Sequence, residues 1–273
     1  MRVAIFISSV VVIVVVFVLA LAVSLNFGGV FRSREREHHT QAENKMFLVL
    51  QSEDRQNKLL KKFIAINREV CSRHGIKYVM VAKSEFDVPP YWKKVFELRK
   101  VMLENTDTKY IMWIDSDAFF INFNTKKIDD FLKVNRKADI IISKDMPPWE
   151  TGEFNAGVFF VKNTKSGLEL INTWLTFYHP HLWNHDTTNK SWSTEAVWAG
   201  EEYEQGAFVK HFLQNPAWRS RVAQLPYHVL NNNACDGEET HDTITVHFAQ
   251  FHKDDVKRVN KCMEFAITSR AVV

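Results

Sequence analysis

The chain has 273 residues, of which 46% are hydrophobic, including 21 Phe and 8 Trp. This supply of apolar side chains can fill a large core, so the composition excludes a chain that is mostly disordered. The formal net charge is only +3 and no concentrated basic face is visible, which argues against a dedicated nucleic-acid binder. We therefore expect one large domain or two small ones, with no nucleic acid as partner.

The first predicted element is an apolar segment at residues 3–25, which has no charged residue and only three serines as polar members. As a helix it would be about 35 Å long, enough to cross a bilayer. The alternative is a cleaved signal peptide, because Ala20-Leu21-Ala22 resembles a cleavage site, although signal-peptide apolar cores run only about 7–15 residues. We expect a short tail (1–2), a transmembrane anchor (3–25) and a polar stem (26–45).

A folded domain is predicted over residues 46–273, where apolar runs of strand length alternate with segments of helical periodicity. The predicted strands lie near 46–50, 78–81, 110–114, 139–142, 157–161, 227–230 and 243–248. The predicted helices lie near 52–73, 92–103, 128–134, 166–178 and 201–213, and residues 179–200 are an irregular segment typical of functional loops. The alternation indicates an α/β fold with a mostly parallel central sheet flanked by helices.

Two carboxylates follow one of the strongly apolar predicted strands. Asp115-Ser116-Asp117 comes directly after Tyr110–Ile114, and in such sheets ligands bind at the carboxyl ends of strands. A close pair of carboxylates suits a hard divalent cation that carries phosphates. A lone Asp-X-Asp is common, and the alternative is a strand that ends in a solvated turn.

The three cysteines are too few for a fold built on disulfides. In an oxidising compartment Cys235 and Cys262 could pair and leave Cys71 free. Three buried free thiols fit the sequence equally well.

Several short segments follow one another in order along residues 46–255. They are Asn67 with His74-Gly75-Ile76, Trp92-Lys93-Lys94, Trp113 to Phe120, Phe154 to Asn163, Glu204-Gln205-Gly206-Ala207, and Val246-His247-Phe248 with His252-Lys253. Together they resemble the galactosyl/xylosyl/mannosyl transferase family, which includes fungal Golgi α-galactosyl and mannosyl transferases and plant xyloglucan xylosyltransferases. Glu204 stands where the family usually has Asp.

The resemblance implies a GT-A fold and a metal-dependent transferase that retains anomeric configuration. The cofactor would be Mn²⁺, with Mg²⁺ as the alternative, held by Asp115, Asp117 and His247. The donor would be a UDP- or GDP-linked hexose or pentose, and the acceptor a glycan or glycoprotein. A core histidine bonded to backbone is the alternative for His247.

The resemblance also implies roles at the donor. Gln205 and Glu204 would be catalytic, with Gln205 orienting or stabilising the sugar, while a helix-surface charge is the alternative for Glu204. An exposed helix lysine is the alternative for Lys94, and glycine at Gly157 would let the backbone pass close to the sugar. The implied donor-binding residues are Asp115, Ser116, Asp117, Lys94, Asn155, Gly157 and either His252 or Lys253.

Three tryptophans, Trp183, Trp192 and Trp198, lie in or next to the irregular segment and could stack on acceptor sugars, although packing is the usual role of tryptophan. The same segment contains Asn189-Lys190-Ser191, an N-glycosylation sequon that matters only in a lumenal domain.

The resemblance implies a single-pass type II Golgi protein whose catalytic domain is lumenal. Counting Lys and Arg beside the anchor favours the opposite orientation, because Arg32, Arg34 and Arg36 follow the apolar segment. The sequence leaves a homo-oligomer open. Two rival functions are a haloacid-dehalogenase-like phosphatase and a catalytically inactive membrane-anchored binding protein.

Overall fold

The computed structural model describes residues 44–55, 57–145, 153–235, 241–249 and 256–268. The predicted anchor, nearly all of the predicted stem, and the pair His252 and Lys253 lie outside these residues. No helix within the described ranges is both long enough and apolar enough to span a bilayer.

Strands and helices alternate along the described chain, as predicted. The strands are β1 (Asn44–Ser52), β2 (Ile76–Val81), β3 (Tyr110–Ile114), β4 (Ala118–Phe120), β5 (Ile140–Ser143), β6 (Asn155–Lys162), β7 (Asn184–Asp186), β8 (Ser191–Ser193), β9 (Val222–Leu225) and β10 (Thr245–His247). The helices are α1 (Lys58–Arg73), α2 (Pro90–Glu104), α3 (Thr125–Val134), α4 (Lys165–Leu175), α5 (Glu204–Phe208), α6 (Pro216–Arg219), α7 (Tyr227–Leu230) and α8 (Val256–Thr268). A 3₁₀ turn lies at Pro180–Leu182, and a π-helical turn at Val209–Leu213 continues α5.

The central sheet has six strands in the order β2-β1-β3-β6-β5-β9. All of them run in one direction except β6, which is antiparallel to both of its neighbours. The predicted mostly parallel sheet is therefore confirmed. Because β6 is reversed, its first residues lie at the edge where β3 ends, and Ile114 stands opposite Val158.

Both faces of the sheet are covered, which explains why its strands are continuous apolar runs. Along β1, Leu48 and Leu50 pack into one hydrophobic cluster and Phe47 and Val49 into another, as the two-residue period of a strand requires. The first cluster also includes side chains of α2, α4 and α5, and the second includes side chains of α3 and α7.

A smaller antiparallel pair, β4 with β10, lies beside the main sheet. Its Phe119 and Val246 share a third cluster with α1 and α8. A disulfide joins Cys235 to Cys262 on α8, with a Cα–Cα distance of 5.3 Å, and Cys71 is a buried free thiol. Burial raises the pKa of Cys71 to about 12, which makes it inert. Of the two cysteine arrangements that the sequence left open, the paired one is the arrangement in the fold.

The predicted helix start at Ser52-Glu53-Asp54 is wrong. Ser52 is the last residue of β1, and the Glu53 amide donates to the carbonyl of Val81 on β2 at 3.1 Å. The helix instead begins after Asn57, whose side chain accepts from the amides of Leu59 and Leu60. Asparagine is among the strongest N-caps, so the later cap prevails.

The predicted strand at 227–230 is also wrong, because these residues form α7. The strand in this region is β9, which pairs with β5 and ends just before Pro226. Proline cannot donate to a strand ladder, and its fixed φ suits the start of a helix. The predicted helix at 201–213 begins three residues later, at Glu204.

Candidate active site

Asp115 and Asp117 lie at the edge of the sheet where β3 ends. The Asp115 amide donates to the carbonyl of Gly157 at 2.8 Å, and the Phe248 amide donates to the carbonyl of Asp117 at 3.0 Å. Since β10 pairs with β4 so that His247 stands opposite Ala118, the imidazole arrives beside the second carboxylate. One ligand atom from each of Asp115, Asp117 and His247 lies within 4.8 Å of the others.

The orientation of the His247 ring is fixed by Asn231, a residue that the sequence did not single out. The Asn231 amide nitrogen donates to the carbonyls of Asn155 and Val158, both at 3.4 Å. Its side-chain oxygen therefore accepts from Nδ1 of His247 at 3.1 Å. Nε2 is left facing Oδ1 of Asp117 at 3.2 Å. An outer hydrogen bond of this kind is how proteins orient a metal-binding histidine.

His247 and Asp117 shift each other's pKa. Burial alone would lower the pKa of His247, but the adjacent Asp117 carboxylate outweighs burial and raises it. Burial alone would raise the pKa of Asp117, and the facing imidazole lowers it. Each group therefore favours the charged form of the other.

Gly157 makes room for the His247 imidazole. A Cβ at this position would lie 2.1 Å from Cε1 and 2.4 Å from Nδ1 of His247, far inside van der Waals contact. The start of β6 is also held by Asn155, whose Oδ1 accepts from the Gly157 amide at 2.9 Å and whose Nδ2 donates to Asp145 at 2.9 Å. The His247 ring thus explains why position 157 requires glycine, which the sequence pattern did not suggest. The contact of Gly157 with a sugar stays a prediction.

Lys94 on α2 is buried, so the alternative of an exposed helix lysine is wrong. Its Nζ lies 3.1 Å from Oδ1 of Asp115 and 3.3 Å from Oε1 of Glu204, and it donates to the carbonyl of Ala156 at 2.9 Å. Burial alone would lower the pKa of Lys94, but the carboxylates of Asp115 and Glu204 raise it. Lys94 is therefore a charged lysine between two carboxylates.

Glu204 and Gln205 are brought to the same edge by the start of α5. Glu204 is only 4% exposed, so the alternative of a helix-surface charge is also wrong. Burial raises the pKa of Glu204, and the Lys94 ammonium counteracts that rise in part. The Gln205 side-chain oxygen accepts from the Ala156 amide at 2.9 Å, which fixes this half-buried residue against the start of β6.

Ser116 is contacted by two residues that sequence reasoning missed. Glu53 and Arg55, which follow β1, form an ion pair at 2.7 Å, and Nη2 of Arg55 donates to the Ser116 hydroxyl at 3.1 Å. The mistaken helix start at Ser52 to Asp54 hid this pair, because it assigned Glu53 to a helix terminus. The Arg55 guanidinium therefore lies beside the Asp-X-Asp segment with its charge paired to Glu53.

A buried amide network holds the backbone of this segment. The Gln51 amide nitrogen donates to the carbonyl of Asp115 at 2.9 Å. Asn67 on α1 donates to the carbonyl of Ala118 at 3.0 Å and accepts from the Phe120 amide at 3.0 Å. Asn67 lies in one of the segments that resemble the family. Gln51 lies in none of them, and the one sequence signal for it is that it is a polar residue directly after the apolar run 47–50.

Comparisons with known proteins agree with this description. The sequence model of the galactosyl transferase GMA12/MNN10 family matches residues 41–151. The probable glycosyltransferase 2 of Oryza sativa subsp. japonica is 29% identical over 112 residues, which are 39% of this chain and 22% of that protein. The xyloglucan 6-xylosyltransferase 4 of Arabidopsis thaliana is 26% identical over 124 residues, 43% of this chain and 23% of that protein. The matched part thus spans less than a quarter of these curated relatives.

The fold also matches a solved structure. A glycosyltransferase involved in the glycosylation of the major capsid of PBCV-1 superposes with a TM-score of 0.58 at 19% identity, covering 80% of this chain and 98% of that one. At this identity the likeness concerns the fold alone. It supports the predicted α/β arrangement of GT-A type.

Proposed function

We propose that this chain, whose residues 41–151 match the sequence model of the galactosyl transferase GMA12/MNN10 family, is a metal-dependent retaining glycosyltransferase. It would move a hexose or pentose from a UDP- or GDP-linked donor to a glycan acceptor. The observation that carries this proposal is the group Asp115, Asp117 and His247 at the edge of a GT-A type sheet where the parallel strands end.

The residues present fit a hard divalent cation. Two carboxylates and one imidazole nitrogen converge within 4.8 Å, and this mixed oxygen and nitrogen donor set suits Mn²⁺, with Mg²⁺ as the alternative. Asp115 and Asp117 are 26% and 29% exposed at the side chain, so the site is open to solvent. A cation bound there would offset the negative charge that develops on a nucleoside diphosphate leaving group.

The remaining residues would position the donor. Lys94 holds Asp115 in place and neutralises part of the charge of two carboxylates, the partly exposed one of Asp115 and the buried one of Glu204. Gln205, whose side-chain oxygen accepts from the Ala156 amide, would orient the sugar by donating from its side-chain nitrogen. Ser116 and Asn155 line the same edge as candidates for donor contacts. We also propose that His252 or Lys253 contacts the diphosphate of the donor.

A first experiment uses the full chain in detergent micelles. We expect release of sugar from at least one UDP- or GDP-sugar that requires Mn²⁺ or Mg²⁺ and stops with a chelator. Asp117→Asn should reduce turnover about 100-fold or more, because a lost charged ligand costs several kcal/mol of transition-state stabilisation. Asp130→Asn is the matched control, since Asp130 is an exposed carboxylate on α3 whose ion pairs among the described residues are with Lys126 and Lys133.

The rival functions give different results in the same assay. A phosphatase would release phosphate from phosphoesters and leave sugar nucleotides intact, and an inactive binding protein would bind a sugar nucleotide without turnover. Metal-independent turnover, or full activity of Asp117→Asn, would contradict the proposed function.

We further propose that the catalytic domain is lumenal and that residues 3–25 anchor it as a type II Golgi protein in the membrane. The Cys235–Cys262 disulfide supports this placement, because disulfides persist in oxidising compartments. Asn189, the acceptor of the sequon, is exposed on the turn between β7 and β8, and its side-chain nitrogen donates to Asp186 at 2.6 Å.

A further inference from the structure

Four aromatic side chains beside the candidate active site form one cluster, here called the aromatic cluster: Tyr91, Trp183, Trp198 and Tyr203. The centroid of the Tyr203 ring lies 5.0 Å from that of Tyr91, 5.0 Å from that of Trp198 and 5.1 Å from that of Trp183. Trp183 and Tyr203 are buried, whereas Trp198 is 54% exposed. The aromatic cluster therefore has a packed base and one ring open to solvent.

The aromatic cluster adjoins the catalytic candidates. Tyr91 lies on α2 three residues before Lys94, and Tyr203 directly precedes Glu204 at the start of α5. Burial raises the pKa of the Tyr91 hydroxyl, and the nearby Tyr203 and Glu204 add to that rise. The hydroxyl is thus within electrostatic reach of Glu204.

The loop that carries Trp198 is rigidly seated on α5. A Cβ at Gly206 would lie 2.0 Å from the carbonyl oxygen of Gly200 and 2.3 Å from that of Ala199, so the loop backbone packs directly on the helix. Ala199 itself has a φ of 57°, a left-handed conformation that non-glycine residues rarely adopt. Such strain persists only where the surroundings hold it, which is a common feature of ligand sites.

Trp198 differs from its neighbours in having an open ring. Trp183 is 6% exposed, and the ring of Trp192 is stacked on His185 at 4.3 Å with parallel planes. Trp198 makes only edge contacts in the aromatic cluster, at 75° to Tyr91 and 64° to Tyr203. In neither contact is a tyrosine stacked parallel to the indole, and with 54% of Trp198 exposed, part of the indole is open to a ligand.

We propose that Trp198 is the stacking platform for a pyranose ring of a neutral oligosaccharide acceptor, so that the aromatic cluster is an acceptor subsite next to the donor site. This inference rests on the proposed function. The C–H face of a pyranose is apolar, and an immobilised indole offers it a large contact area at little cost in conformational entropy. Because the loop is seated on α5, a sugar on Trp198 would be held at a fixed position relative to Glu204 and Gln205.

The test compares Trp198→Ala with Trp198→Tyr and with Trp192→Ala, a tryptophan replaced in the same segment. With gluco-, manno- and galacto-oligosaccharides as acceptors, Trp198→Ala should raise the acceptor KM about tenfold, as expected for one lost stacking contact. The donor KM should change much less, Trp198→Tyr should recover most of the acceptor affinity, and Trp192→Ala should resemble the wild type.

A binding measurement separates this inference from the proposed function. Saturation-transfer NMR with the same oligosaccharides needs no turnover, so it decides on the subsite even if no sugar nucleotide is cleaved. Binding by the wild type and Trp192→Ala that is lost in Trp198→Ala supports the subsite. Equal binding or an equal acceptor KM in Trp198→Ala, or no binding of any oligosaccharide by the wild type, would overturn it.

Discussion

The absence of a side chain at Gly157 determines where the His247 ring can lie. The imidazole lies against the Cα of Gly157, where any side chain would overlap the ring. The other side of the ring is fixed by Asn231 and by Asp117. The position of Nε2 relative to the two carboxylates therefore depends on a residue that contributes no functional group.

Gly157→Ala should abolish the response of the protein to metal. The added methyl would displace the His247 ring, and overpacking of this kind also costs about 1–3 kcal/mol of folding free energy. The measurement is the increase in Tm that Mn²⁺ produces, which we expect in the wild type and not in Gly157→Ala. Gly167→Ala is the control, because its Cβ would meet the Lys162 carbonyl oxygen at 1.9 Å at the start of α4. It should lower Tm and keep the Mn²⁺ response.

Among the individual residues of the site, the sequence predicted those that a local pattern or the family resemblance marks and missed those placed only by distant parts of the chain. Asp115 and Asp117 could be found because an apolar strand leads directly into them, and the position of a strand end is a local property. His247 could be found only through a family resemblance, since pairing of β10 with β4 brings it there. The role of Asn231 depends on a turn 16 residues away from His247, and no local pattern marks it.

At the scale of elements, Lys94 joins four segments of the fold. From α2 it reaches Asp115 after β3, Glu204 at the start of α5 and the Ala156 carbonyl on β6. A lysine buried to this degree is costly unless its charge is compensated. Here two carboxylates and a carbonyl compensate it, so the contact ties the catalytic candidates to the sheet.

Lys94→Met should destabilise the fold by about 3–5 kcal/mol, because it leaves the buried carboxylate of Glu204 and the partly exposed one of Asp115 without a counter-charge. Adding Glu204→Gln should restore part of this loss, since it removes one of the two charges. Urea unfolding followed by tryptophan fluorescence measures both. Lys100→Met on the same helix removes a partly exposed lysine paired with Glu85 and should cost less than about 1 kcal/mol. If Lys94→Met is as stable as the wild type, the charges are not coupled as described.

The sequence pattern predicts where strands lie but not the direction of each strand in the sheet. Alternating strands and helices correctly predicted a mostly parallel sheet, but the reversal of β6 was missed. The sequence held a signal, because no helix was predicted between β5 and β6, and parallel neighbours need a long crossover that is usually helical. The reversal matters for function, since it brings Asn155 and Gly157 to the edge where Asp115 lies.

At the scale of the whole molecule, the Cys235–Cys262 bridge connects the site to the C-terminal helix. Cys235 closely follows Asn232, whose carbonyl accepts from the His247 amide at 2.7 Å. Cys262 lies on α8, which shares a hydrophobic cluster with α1. The sequence allowed this disulfide as one of two cysteine arrangements. It could not decide between them, because disulfide pairing depends on where α8 packs.

Removing the bridge should lower stability by about 3–4 kcal/mol, the chain-entropy value for a loop closed across a sequence separation of 27 residues. The measurement is the free energy of unfolding of Cys235→Ser/Cys262→Ser. A reductant should shift the wild type to the same value and leave the double variant unchanged, which separates loss of the bridge from an effect of the new serines.

The bridge also reports the compartment, because a lumenal domain collected under denaturing conditions should expose one reactive thiol, Cys71. Three reactive thiols would contradict the lumenal placement, and a reductant-insensitive wild type would contradict the stabilising role of the bridge.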